Sequence, residues 1–197
     1  MMRNQRVLFI VEVSLFAALG IVFSLPYLSI PLWLQGGSIS LAMLPILFMA
    51  FRWGLKGGLV TGLMVGIINS FINPYIVHPV QYILDYPLAY SVVGLAGIFS
   101  IHVQRALRSE NRKKFIFYVT LGTFIGSMGR LISHFIGGVV FFGSFAPEGM
   151  AVWYYSLTYN AGYIIPSFVI SAIVLSFILY SRPQLIRSTK QNERHAA

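Results

Sequence analysis

From Val152 to Tyr180 the chain runs 29 residues without one charged side chain. An uninterrupted apolar run of that length, well beyond the roughly 20 residues that cross a bilayer, leaves a membrane helix as its only stable home. Within hydrocarbon the backbone must satisfy its own hydrogen bonds, so the rest of the chain is read against the same template. It repeats. Candidate spans fall at 7–25, 38–51, 57–75, 79–101, 115–142 and 152–180. The reading is an all-α integral membrane protein, one six-helix domain over 1–197. A basic tail at 182–197 has the composition of a disordered segment.

The spans are not uniform. The first, preceded by Arg3 and Arg6, has no small-residue cleavage site after it and reads as a retained helix rather than a leader. A Pro, Gly and Ser-rich connection carrying Trp33 follows it, expected as a loop at the outer interface. The second span is short and contains Pro45, so it is expected to be tilted, kinked or buried among neighbours. Arg52 and Lys56 mark a tight turn. The third carries Gly58, Gly62 and Gly66 at four-residue spacing, a cleared face that serves either packing inside the protein or contact with a partner.

The formal charge of +9 would suit nucleic acid if it lay on one face of a folded domain. Instead, 13 of the 14 Lys and Arg residues fall at the amino terminus, in the 52–56 turn, in the 103–114 loop and in the carboxyl tail. That asymmetry puts both termini in the cytoplasm by the positive-inside rule and leaves nucleic acid without a binding surface. Arg130, inside a span, is the exception.

Asp85 is the other. It is the one charge between Pro79 and Ile101, and an acid in hydrocarbon is a functional-site hypothesis that needs a partner. Counting about 1.5 Å per residue from the outer helix ends sets Asp85, His134, Tyr155 and Asn160 at one level, roughly 5–13 Å deep. Tyr75, Tyr82, Tyr86, Phe141, Phe142, Trp153, Tyr155 and Tyr159 gather near that same end. A carboxylate walled by aromatic faces suits a flat heteroaromatic cation, through charge pairing, stacking and cation–π attraction. Two plainer accounts stand beside it: interfacial belts of Trp and Tyr, and polar groups that only bond helix to helix. Arg130, one turn deeper than His134 on the same face, is a candidate ion-pair partner for Asp85.

Enzymatic signatures are missing from the sequence. No Gly-Lys pair exists for a Walker A loop, no His-Glu-x-x-His occurs, and five acidic residues in all leave no paired-acid metal site. With no cysteine, disulfides and cysteine-based metal centres are excluded. The expected activity is binding or transport, with no catalytic residue, no metal and no cofactor.

Four stretches together carry a family resemblance: Ser38-Ile39-Ser40-Leu41-Ala42-Met43-Leu44-Pro45-Ile46-Leu47; Leu84-Asp85-Tyr86 leading to Gly94-Leu95-Ala96-Gly97; His134-Phe135-Ile136-Gly137-Gly138; and Tyr155-Ser156-Leu157-x-Tyr159-Asn160. They resemble the thiamine-specific substrate-binding subunits (the ThiT/YuaJ family) of energy-coupling factor (ECF) importers. The resemblance implies capture of thiamine from outside by a multi-pass protein of the cell membrane. Transport would rely on a transmembrane coupling subunit and two ATPases. It further implies that Asp85, Tyr86, His134, Tyr155 and Asn160 hold the ligand, with Tyr75, Phe142 and Trp33 as aromatic walls. Arg130, Tyr82 and Tyr159 would support the site, and a small-residue patch at Ser14 and Ala18 would meet the coupling subunit. Departures exist: family members also use glutamate at the position of Asp85 and tryptophan at that of Phe142. The alternatives are a subunit for another heteroaromatic vitamin and a small ion-coupled secondary transporter using Asp85, Arg130 and His134 as a proton relay.

Overall fold

The structure is a computed structural model that describes residues 3–32, 36–72 and 74–186. Trp33 and the tail beyond residue 186 lie outside the described residues. Five long helices carry the fold: α1 (Arg3–Ser24), α2 (Met43–Ile72), α3 (Pro79–Arg108), α4 (Arg112–Phe141) and α5 (Val152–Ser181). Between α1 and α2 the outer connection forms a two-stranded antiparallel ribbon, β1 (Ile30–Pro31) with β2 (Ser38–Ile39).

Among the described residues five helices are long and apolar enough to cross a membrane, one fewer than the six expected spans. The difference is confined to α2, which joins the expected spans 38–51 and 57–75. It is non-helical at Gly54, whose φ of 74° and ψ of −163° suit a residue without a Cβ. The arm before it, 43–53, reaches only about half of a ~30 Å hydrocarbon core at 1.5 Å per residue. The chain then doubles back. A methyl on Gly58 would stand 2.7 Å from Ala50 Cβ, a residue that would be about 12 Å away along a straight helix. Because the short arm cannot span, it is buried among its neighbours: Met43, Ile46, Leu47, Met49, Ala50 and Phe51 form the centre of the core with Val93, Ala96, Phe115 and Leu175.

Polar side chains pin that reversal at the basic end of the molecule. Glu12 of α1 accepts Arg52 Nε and Nη2, both at 2.6 Å, and Trp53 Nε1 at 2.5 Å. Arg52 Nη1 also donates to the Leu185 carbonyl. Gln104 Nε2 donates to the carbonyls of Phe51 (2.8 Å) and Arg52 (3.3 Å), in the turn just before the break at Gly54. The one acid in the first span is thus structural.

The glycine row of α2 resolves as packing inside the protein. Methyls on Gly58, Gly62 and Gly66 would stand 2.6 Å from Gly94 Cα, 2.9 Å from Ser91 Cα and 2.9 Å from Pro87 Cα of α3. Helix backbones in such contact do not yield as a flexible side chain would. Gly62→Val is therefore expected to lower stability by about 1–3 kcal/mol, the usual cost of overpacking. A fall in the apparent melting temperature of the detergent-solubilised protein measures it; an unchanged melting curve would show that α2 and α3 part easily.

Candidate functional site

The site begins with a local irregularity. His78 caps α3, accepting the Val80 N–H at Nδ1, and the helix then widens into a π-turn at Leu84–Leu88. Pro87 lies inside this turn and brings no N–H to the ladder. From α4, the Ser133 hydroxyl donates to the Leu84 carbonyl at 2.6 Å. Asp85 and Tyr86 ride on the widened turn, the kind of helical irregularity common at functional sites.

The Asp85 carboxylate is held from two helices. Its Oδ2 accepts Gln81 Nε2 at 2.7 Å, one turn earlier on α3, and its Oδ1 lies 3.0 Å from His134 Nδ1 on α4. His134 Nε2 in turn faces Arg130 Nε at 3.3 Å. A guanidinium can only donate, so Nε2 carries the lone pair and Nδ1 carries the proton given to Asp85. His134 is then neutral. The direct Arg130–Asp85 ion pair entertained from the sequence is replaced by a relay through His134, because Arg130 lies one helical turn further from Asp85. Its guanidinium rests over the Tyr90 ring, 4.6 Å from the centroid. Gly137 leaves space for the acid, since a methyl there would stand 3.0 Å from Asp85 Oδ1.

Aromatic side chains enclose this carboxylate in a cavity of about 340 Å³, within the size range of small-molecule sites. Tyr75 and Phe142 face each other with centroids 5.8 Å apart, and Tyr155 and Tyr159 lie 5.7 Å apart. The Tyr86 hydroxyl accepts the Tyr75 N–H at 2.8 Å, while Gln81 Nε2 donates to the Tyr75 carbonyl at 3.0 Å. Tyr159 donates to the Gly36 carbonyl at 2.7 Å, tying α5 to the outer ribbon. Asn160 donates to the Ser156 carbonyl at 2.8 Å and, across to α4, to the His134 carbonyl at 3.4 Å, and accepts the Tyr163 hydroxyl at 2.6 Å.

Asp85, Tyr86, His134, Tyr155, Asn160, Tyr75 and Phe142 therefore line one cavity, together with Arg130 and Tyr159. Tyr82 does not line it and packs against Tyr86 with centroids 5.9 Å apart. Ser14 and Ala18 are exposed on α1, which reaches the cavity only through Ser24 at its last turn. The sequence reading missed Gln81, Tyr90, Asn69 and Ser24. Gln81 carried a signal, being one turn before Asp85 on the same helix face. Asn69 and Ser24 carried none, because only the reversal in α2 brings them to Tyr90.

The chain matches the family described as Thiamine transporter protein (Thia_YuaJ) over residues 10–187. It is 43% identical over 194 residues to the thiamine transporter ThiT of Bacillus subtilis (strain 168), covering 96% of this chain and 100% of that relative. To the thiamine transporter ThiT of Lacticaseibacillus paracasei it is 32% identical over 189 residues, covering 94% and 93% of the two chains. Its fold is similar to the solved structure of ThiT from Listeria monocytogenes, with a TM-score of 0.85 at 30% identity over 93% of this chain and 99% of that one. Bacterial relatives and several membrane-crossing helices make it a multi-pass protein of the plasma membrane.

Proposed function

The chain belongs to the thiamine transporter family, and from that premise we propose that it captures thiamine with high affinity as the substrate-binding subunit of an ATP-driven ECF importer. The observation that carries the reading is Asp85: among the described residues it is the sole acid lining an aromatic cavity, and it is pinned by donors on two sides. Each carboxylate oxygen keeps acceptor capacity after those bonds, so a cation can be added without breaking them. A thiazolium ring meets charge, π faces and water exclusion together.

In this reading Asp85, Tyr86, His134, Tyr155, Asn160, Tyr75, Phe142 and Trp33 contact the ligand, and Arg130, Tyr82 and Tyr159 hold the contacts in place. The chain has no Gly-Lys pair for a nucleotide loop, so energy would come from two separate ATPases through a membrane coupling subunit. Ser14 and Ala18 supply the small exposed patch for that subunit.

Titrating the purified protein with thiamine by calorimetry or intrinsic fluorescence, without ATP or an ion gradient, is expected to give saturable, high-affinity binding. Riboflavin, which has no fixed positive charge to pair with Asp85, is expected to bind far more weakly. Affinity no better than millimolar, or equal binding of riboflavin, overturns the thiamine reading.

A further inference from the structure

Among the described residues Arg130 is the one buried charge whose environment is incomplete. It is 7% exposed, yet among the described residues the two pairs within ion-pair distance are Arg52–Glu12 and His134–Asp85. Its Nε is spent on His134 and its plane lies over Tyr90. Nη1 and Nη2 have no hydrogen-bond partner among the described residues. Neither is sealed off, since the fully enclosed unpartnered side-chain atoms there are Thr61 Oγ1 and Ser171 Oγ alone. Arg130 lines the cavity, so those N–H groups open into it.

The neighbouring side chains do not supply Arg130 with an anion. Tyr90, 5% exposed, shares a hydrogen bond of 2.9 Å with the Asn69 side chain, and its hydroxyl can rotate towards the cavity. Asn69 Oδ1 lies 3.0 Å from the Ser24 hydroxyl, whose proton goes to the Ile21 carbonyl at 2.7 Å, and His134 Nε2 is taken by Arg130. All of these side chains line the same cavity. Arg130 Nη1 and Nη2 are thus the donors on its floor that have no receiver among the described residues. An unsatisfied buried donor is costly, a charged one most of all.

Electrostatics points the same way. Asp85 and Arg130 cancel, and His134 is neutral, so the walls of the cavity carry no net charge. A bound monocation would leave one uncompensated positive charge in a low-dielectric site, which is heavily penalised. Building on the thiamine reading, we propose that the cavity floor is an anion subsite: a small monovalent anion such as chloride, held by Arg130 Nη1 and Nη2 and the Tyr90 hydroxyl, accompanies the cationic ligand. Asp85 holds the cation, Arg130 holds the anion, and the loaded cavity is neutral.

The test is thiamine affinity of the full-length protein in sodium chloride against sodium gluconate at equal ionic strength, for wild type, Arg130→Met and Tyr90→Phe. Gluconate is too bulky for the subsite, so wild type is expected to bind at least about tenfold more weakly in it, equivalent to ~1.4 kcal/mol. Arg130→Met is expected to bind equally in both salts. Tyr90→Phe, which keeps the ring under the guanidinium and loses the hydroxyl, is expected to show a reduced chloride effect and remains informative if Arg130→Met does not fold. Equal wild-type affinity in the two salts would overturn the anion subsite and leave an acceptor of thiamine itself as the partner of Arg130. A chloride effect that persists undiminished in both variants would overturn it by locating the anion elsewhere. Failure of the thiamine premise reads differently, as no binding in either salt.

Discussion

Asp85→Asn is expected to weaken thiamine binding by about 2–5 kcal/mol, the range for truncating one member of a buried charge pair, or roughly thirtyfold to several thousandfold. The substitution keeps size and shape and removes the only negative charge that lines the cavity among the described residues. The side-chain oxygen of the new amide can still accept the His134 proton, as Asp85 Oδ1 does at 3.0 Å. Its nitrogen then faces Gln81 Nε2, which now sits 2.7 Å from Oδ2, and the Gln81 amide must turn or part from it. These are local adjustments. The π-turn is also anchored by Ser133 on the Leu84 carbonyl, which the mutation does not touch. The measurement belongs on a monodisperse fraction, by calorimetry. If Asp85 serves only as the acceptor for Gln81 and His134, the folded variant binds thiamine normally and the charge-pairing account is wrong.

What could be read in the sequence divides along physical lines. Apolar length and the distribution of Lys and Arg depend on the solvent rather than on neighbouring side chains, so the helices, the reversal near Arg52 and Lys56 and the shared end of the basic segments were all legible. The number of full crossings was not. Whether 38–51 forms a span of its own depends on Gly54 adopting positive φ and on the core that accepts a half-length arm. In the site, Asp85, His134 and Tyr155 were legible because charge and aromatic character in a membrane demand explanation. The relay from Arg130 through His134 was not, since it depends on how α4 is rotated against α3. That rotation is set by Gly126 against Val93 and Gly137 against the Asp85 carboxylate, contacts between residues distant in sequence. The choice between packing and partner contact for Gly58, Gly62 and Gly66 also needed coordinates. The answer lay on the facing backbone of α3.

Filling the exposed patch on α1 with Ser14→Trp and Ala18→Trp is expected to reduce ATP-driven thiamine uptake in cells to the level of cells without the protein, while the purified variant keeps its thiamine affinity. The two effects separate because α1 has two faces. Val13 and Ala17 are buried in the core, with Phe16 stacked on Phe48 at 4.5 Å, whereas Ser14 and Ala18 face outward beside the exposed Val11 and Leu15. Spaced four apart, the small side chains leave a shallow groove that another helix can approach closely, and two indoles would close it. Distance protects the cavity. Ser24 is the residue through which α1 reaches it, and at about 1.5 Å per residue Ala18 lies roughly 9 Å and Ser14 roughly 15 Å back along the helix. Loss of binding together with uptake would mean that the indoles disturb this protein's own packing. Intact uptake would mean that the coupling subunit docks on another surface or that the chain transports alone.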